Sequence, residues 1–99
     1  MLLVGQGEAS RFIKQHPDSK PWLNSFIDLV GEAKWKSIID VRQVYPHADA
    51  VGTCTVFNVK GNRYRLIVTI DYRSQIIDIK KVLTHAEYDK EKWKKDCGG

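Results

Sequence analysis

Two cysteines are all that this 99-residue sequence contains, and it has no long apolar run. Cys54 lies in an apolar stretch and Cys97 near the tail, a spacing that gives neither a disulfide framework nor a zinc motif. No run approaches the roughly 20 apolar residues of a membrane span, and the first residues lack the basic flank of a signal peptide. We therefore expect a reduced, intracellular protein that is not bound to a membrane.

Other signatures are missing as well. No set of His, Cys, Asp and Glu residues has the spacing of a metal site, and no glycine-rich loop has the spacing of a nucleotide cradle. We therefore expect neither a metal nor another cofactor. Internal repeats, linkers and low-complexity tracts are also lacking, so the chain is predicted to form a single domain over residues 1–99.

Positive charge is present, and it is concentrated in the second half of the sequence. Residues 1–50 carry six basic and six acidic side chains, whereas residues 51–99 carry ten basic and six acidic ones, which accounts for the whole net charge of +4. A basic surface collected on one part of a small domain suits a polyanion such as RNA. A role in solubility explains the same charge equally well.

The first half is predicted to be mainly helical. Residues 1–4 read as a short strand, and a helix with apolar residues at helical spacing follows and ends at Pro17. Asp18 or Ser19 can cap a second helix. The segment that begins at Ser37 has the spacing of a capping box and predicts a short third helix.

The second half changes to the two-residue period of strands. Three strands are predicted, at residues 53–59, 63–71 and 76–83. Turns between them make an antiparallel meander, and a capping-box pattern from Thr84 to Glu87 predicts a last helix over residues 86–95. The expected fold class is α+β, with N-terminal helices packed on a small antiparallel sheet and a short C-terminal helix.

A first cluster of candidate site residues lies at the predicted hairpin between residues 59 and 66. It contains Lys60, Arg63, Tyr64 and Arg65. Strand alternation puts Arg63 and Arg65 on one face, about 7 Å apart, with Tyr64 on the other. Two guanidinium groups at that spacing can hold adjacent phosphates. The alternative is a solvated hairpin tip without a ligand.

A second cluster lies where the last strand meets the last helix. His85 is predicted near the helix N-terminus, whose dipole favours a neutral imidazole, and Tyr88 shares its helix face. Lys80 and Lys81 on the preceding strand add positive charge. The alternative is that Thr84 and Glu87 merely cap the helix and that His85 is exposed. The three tryptophans are interpreted as packing residues rather than as a base-stacking platform.

Four segments of the sequence carry a family resemblance: Phe57–Val68, Thr84–Lys90, His16-Pro17-Asp18 and Ala33-Lys34-Trp35. Together they resemble the HigB family of toxins, within the RelE-like superfamily of type II toxin–antitoxin systems. The resemblance implies a RelE-like α+β fold and an endoribonuclease that cuts mRNA, typically in the ribosomal A site. It also implies a cytoplasmic protein with a helix-turn-helix, HigA-like antitoxin, and contact with DNA only through that antitoxin.

The residues agree with this chemistry. Metal-independent RNA cleavage uses the 2′-hydroxyl of the substrate as nucleophile, so the protein must move protons and stabilise charge on phosphorus. His85 is predicted to transfer protons with help from Tyr88, and Arg65 to stabilise the charge. The remaining predicted phosphate-binding residues are Lys60, Arg63, Lys80, Lys81 and Lys90. The alternatives are a non-catalytic module that binds RNA or the ribosome, and an inactive toxin homologue that acts only in a repressor complex.

Overall fold

The computed structural model describes residues 1–98, which form five strands and four α-helices. In chain order these are β1 (Leu2–Val4), α1 (Gln6–Gln15), α2 (Lys20–Glu32), α3 (Ile38–Val44), β2 (Asp49–Val51), β3 (Cys54–Val59), β4 (Tyr64–Asp71), β5 (Ile76–Thr84) and α4 (His85–Asp89). Short 3-10 helices lie at Pro17–Ser19 and Lys92–Cys97. None of the helices in this described part is long and apolar enough to cross a membrane.

The strands form one sheet in the order β1-β5-β4-β3-β2. The meander β3-β4-β5 is antiparallel, as predicted, and β2 extends it antiparallel to β3. β1 pairs with β5 in parallel, so the sheet is mixed rather than purely antiparallel. The α+β fold class predicted from the sequence is confirmed, whereas β2 was not predicted because three residues are too short for an alternating pattern.

The main core lies between the helices and one face of the sheet. Phe26 of α2 packs edge-on against Phe57 of β3, with ring centroids 5.0 Å apart. Leu66, Val68 and Ile77 complete the sheet side of this core and are fully buried. Burial of each such side chain contributes about 1.5–3 kcal/mol. The helices therefore cover one face and leave the other for the C-terminal segment.

That segment covers part of the second face of the sheet. Trp93 and Cys97 pack with Val56 and Ile67, and both are almost fully buried. The predicted continuous helix over residues 86–95 is therefore wrong. α4 ends after one turn, and Glu91 adopts a left-handed conformation with φ of 61° that turns the chain back. Burial of the Trp93 ring against the sheet outweighs the helical propensity of this stretch.

The expectation of two separate reduced cysteines is also wrong for this structure. Cys54 of β3 and Cys97 form a disulfide between residues 43 apart in the sequence. The Thr53 backbone N–H donates a 2.9 Å hydrogen bond to the carbonyl of Cys97. Gly52 allows this approach, since a Cβ atom there would lie 1.9 Å from the same carbonyl oxygen. Sequence spacing could not reveal this pair, because the folded-back segment brings it together.

Two helix caps predicted from the sequence lack the expected side-chain hydrogen bond. Ser19 stands at the N-cap of α2, but its hydroxyl donates to the carbonyl of His16 rather than capping the helix. Ser37 stands at the N-cap of α3 without a side-chain cap, and Asp40 accepts from the Lys36 backbone instead. By contrast, the capping box predicted from Thr84 to Glu87 is confirmed.

Candidate functional site

Arg65 lies near the start of β4, on the face of the sheet that the helices do not cover. It is only 8% exposed. Nη1 donates to the carbonyls of Asn62 and Tyr64 at 3.2 and 3.1 Å, and Nη2 donates to the Asn62 side-chain oxygen. The hairpin therefore fixes the guanidinium plane. These bonds leave Nε–H and part of Nη2 for a further acceptor.

Tyr88 of α4 joins Arg65 to the C-terminal segment. The Arg65 Cζ atom lies 5.1 Å from the centroid of the Tyr88 ring, a cation–π distance. The same ring stacks on Trp93, with centroids 4.9 Å apart and planes inclined by 12°. Trp93 Nε1 also donates a 2.9 Å hydrogen bond to the Tyr88 carbonyl. Arg65, Tyr88 and Trp93 thus form one contiguous group, which we call the Arg65 stack.

His85 is the first residue of α4 and is about half exposed. Its Nδ1 atom lies 3.0 Å from Asp89 Oδ2. A proton on Nδ1, donated to this carboxylate, leaves the lone pair of a neutral imidazole on Nε2. His85 and Tyr88 lie three residues apart on one short helix, so their side chains project from neighbouring positions.

Three lysines lie around a shallow cavity beside α4. The cavity has a volume of about 240 Å³, and its lining includes Lys81, Lys90 and Lys92 together with Glu87 and Trp93. Lys81 Nζ is 3.9 Å from the Asp96 carboxylate, a weak and exposed contact. Because Trp93 belongs both to this cavity and to the Arg65 stack, the lysine cavity adjoins the stack. Three lysines against one carboxylate give this lining a net positive charge, which suits an anion.

The remaining predicted cations of the hairpin point elsewhere. Lys60 Nζ and Arg63 Nη1 approach Asp18 Oδ2 at 3.4 and 3.1 Å. The Tyr64 hydroxyl donates to the same carboxylate, at 2.8 Å to Oδ1. This hydrogen bond is the main cause that lowers the pKa of Asp18, with Lys60 and Arg63 adding to it, and it also raises the pKa of Tyr64.

The prediction that Arg63 and Arg65 share a face is therefore wrong. Arg63 belongs to the turn, where its N–H bonds the carbonyl of Lys60, and β4 begins one residue later. Its guanidinium joins Tyr64 at Asp18, on the side of the sheet that the helices cover. Lys80 pairs with Asp78 at 2.8 Å and is not in the lining of the lysine cavity.

Comparison with known proteins bears on this geometry. The family model for the HigB toxin, the RelE-like toxic component of a toxin–antitoxin system, matches residues 19–91. The chain belongs to the HigB toxin family. The match includes Arg65, His85 and Tyr88 and confirms the resemblance seen in the sequence. A toxic component of this kind has an antitoxin as its partner.

Individual HigB proteins are similar over almost the whole chain. The mRNA interferase toxin HigB of Escherichia coli K12 is 28% identical over 92 residues, which cover 90% of this chain and 88% of the relative. The mRNA interferase HigB of Shigella flexneri has the same identity and coverage. The mRNA interferase HigB of Escherichia coli O6:H1 is 24% identical over 93 residues, covering 91% of this chain and 90% of the relative.

The structure adds residues that the sequence interpretation missed for this HigB-family toxin. The contact of Asp89 with His85 could have been predicted, because the two residues lie four positions apart on the same helix. Asn62 was seen only as a turn residue, although its side chain holds Arg65. Trp93 and Lys92 became part of the site only through the folded-back segment, which no local pattern indicated.

Proposed function

We propose that this HigB-family toxin is a metal-independent endoribonuclease that cleaves mRNA, with the message presented in the ribosomal A site. The observation that carries the proposal is the Arg65 stack, with His85 one helical turn from Tyr88 and three lysines around the adjoining cavity. The names of the relatives as mRNA interferases support the choice of substrate.

In the proposed reaction, the 2′-hydroxyl of one nucleotide attacks the adjacent phosphorus. The O–P bond that forms closes a 2′,3′-cyclic phosphate, and the bond to the 5′-oxygen breaks. One proton leaves the 2′-hydroxyl and another is delivered to the 5′-oxygen. His85 takes part through Nε2 while Asp89 holds Nδ1–H, and Tyr88 assists. General acid–base help of this kind contributes about 10²- to 10⁴-fold.

Positive charge would stabilise the additional negative charge on the phosphorus. Arg65 has N–H donors that its hairpin bonds do not use. Because its guanidinium plane is already fixed, it loses less conformational entropy when it binds a phosphate. Lys81, Lys90 and Lys92 would hold flanking phosphates, so binding should weaken steeply with salt. In this proposal Lys60 and Arg63 act beside the site rather than in it, because Asp18 already engages them.

The biological setting of the proposal follows the family. The toxin works in the cytoplasm, and its partner is a helix-turn-helix, HigA-like antitoxin. Contact with DNA occurs only through that antitoxin, and the ribosome presents the mRNA. Copurification of such a small helix-turn-helix protein with the toxin would support this part.

The central experiment compares the parent with His85→Ala and Asp89→Asn on a labelled message with ribosomes. New 5′ ends mapped by primer extension measure cleavage. We expect His85→Ala to lose about 10²- to 10⁴-fold in rate and Asp89→Asn to lose less. Gln43→Ala, an exposed change on α3, is the control and should cut like the parent. Equal cleavage by His85→Ala would remove this residue from the mechanism.

A non-catalytic RNA-binding function is the second candidate. The buried hydrogen bonds of Arg65 to the hairpin favour it, since a guanidinium committed to the fold has fewer donors for a transition state. Binding of the message by the parent with no new 5′ ends would support this alternative.

A further inference from the structure

A second cavity, of about 430 Å³, lies at the other side of the hairpin. Trp22 of α2 and Tyr45 form aromatic walls above the buried Phe57, and His47 and Asn58 place polar groups in its lining. Trp22 stacks on Phe26 with planes inclined by 11° and is partly exposed. The volume is within the range of small-molecule sites, and the combination of aromatic walls with a few polar groups is typical of them.

Two asparagines in the lining of this cavity are also direct neighbours of Arg65. Asn58 lies directly opposite Arg65 in the β3–β4 pairing. Asn62 also lines the cavity, and its side-chain oxygen accepts from Arg65, which leaves its NH₂ group as donor. β2 pairs with β3 only as far as Val56, so the edge of β3 beyond it borders the cavity.

We propose that this cavity binds one nucleobase of single-stranded RNA, next to the phosphate held at Arg65. The inference rests on the proposed function and adds a base-binding site to it. Aromatic side chains stack bases, and amide and imidazole groups hydrogen-bond their edges. An apolar side chain of an antitoxin would leave the polar lining unpaired.

The test measures binding without cleavage. Labelled hexanucleotides of adenosine or uridine with 2′-O-methyl riboses cannot supply the attacking hydroxyl, and each is compared with versions that carry one abasic residue at successive positions. Fluorescence anisotropy gives the dissociation constants for the parent, Trp22→Leu and Trp22→Phe. Ile39→Ala, an exposed apolar residue of α3 outside the cavity, is the control.

We expect base removal at one position to weaken binding by the parent roughly 5- to 100-fold, the size of one stacking contact. Trp22→Leu should lose affinity for the complete hexanucleotide by a similar factor and become insensitive to that abasic position. Trp22→Phe and Ile39→Ala should resemble the parent. Thermal unfolding of each variant separates loss of stacking from loss of fold, and His47→Ala, in an exposed loop, provides a second cavity variant.

Three results would overturn the inference. The parent could bind all abasic versions as tightly as the complete hexanucleotide, or folded Trp22→Leu could retain the affinity and the base dependence of the parent. Folded Trp22→Leu could also bind RNA normally but bind the antitoxin weakly, which would make the cavity a protein-docking site. If the parent binds RNA in a base-dependent way but cuts no message, the proposed nuclease function is wrong and the base-binding site is still supported.

Discussion

Reduction of the Cys54–Cys97 disulfide is expected to destabilise the folded chain by about 2–4 kcal/mol. The bond closes a loop between residues 43 apart. The chain-entropy relation gives about 4 kcal/mol for a loop of this length, and native disulfides typically contribute about 2–4 kcal/mol. For a domain of this size, that loss corresponds to a fall of roughly 10–30 °C in Tm.

Other contacts hold the C-terminal segment after reduction. Trp93 remains almost fully buried against Val56 and Ile67, and its Nε1 bond to the Tyr88 carbonyl does not depend on sulfur chemistry. We therefore expect the reduced chain to remain folded at 25 °C with lower stability. This matters for the proposed location, because a reducing cytoplasm keeps most thiols reduced.

Equilibrium urea unfolding with and without a phosphine reductant measures this effect. Cys97→Ala is the matched control, since it lacks the bond and should show the same free energy of unfolding under both conditions. The parent should approach the variant when reductant is present. Because both cysteines are buried, samples must equilibrate through unfolding before measurement. An unfolding midpoint of the parent that does not move with reductant would refute the reasoning.

Three further outcomes are expected. Arg65→Lys keeps the charge but cannot reproduce the bonds to two backbone carbonyls, so thermal unfolding should show a loss of about 1–3 kcal/mol and primer extension a loss of cleavage. Tyr88→Phe keeps the ring that stacks on Trp93, so stability should change by less than about 0.5 kcal/mol while cleavage falls roughly 10- to 100-fold. Asp18→Asn should be less stable than the parent at pH 7, and urea unfolding should show this difference shrinking as the pH is lowered below 3.8.

The direction of the pH dependence for Asp18→Asn follows from the titration of the Asp18 carboxyl group. The pKa of Asp18 is lowered in the folded chain from its ordinary value of 3.8. Its contribution is therefore present above pH 3.8 and is lost as the pH falls through the lower folded value. A difference in stability that does not shrink as the pH is lowered below 3.8 would contradict this assignment. Cleavage by Arg65→Lys at the rate of the parent would contradict the role of Arg65 in binding phosphate. Full activity of Tyr88→Phe would show that the Tyr88 hydroxyl takes no part in cleavage.

Most of the fold could be predicted from periodicity. The change from helical to alternating spacing near residue 50 located the meander, and each of its strands begins within one residue of the predicted position. The parallel pairing of β1 with β5 and the folded-back C-terminal segment could not be predicted, because both are decided by burial against distant strands. Trp93 lies in the 3-10 helix Lys92–Cys97 rather than in a continuation of α4, and its ring is buried against the sheet.

The candidate site was predicted only in part, because local sequence patterns do not show contacts between distant segments. Arg65, His85 and Tyr88 were predicted as site residues because their segments are local and distinctive, and the structure brings Tyr88 into contact with Arg65. Arg63 was placed on the wrong face because alternation was counted from inside the turn, and because Asp18 lies 45 residues away in the sequence. A charged partner at that separation leaves no signal in the local pattern, although it decides where an exposed guanidinium points.

Tyr88 connects the fold of the C-terminal segment to the chemistry proposed for the site. Its ring touches the Arg65 guanidinium on the sheet and Trp93 on the returning segment, while its helix begins at His85. A capping box alone would define the start of a five-residue helix but would not fix it against the sheet. Burial of Trp93 supplies that attachment, so the same packing that ends the helix early also holds Tyr88 against Arg65.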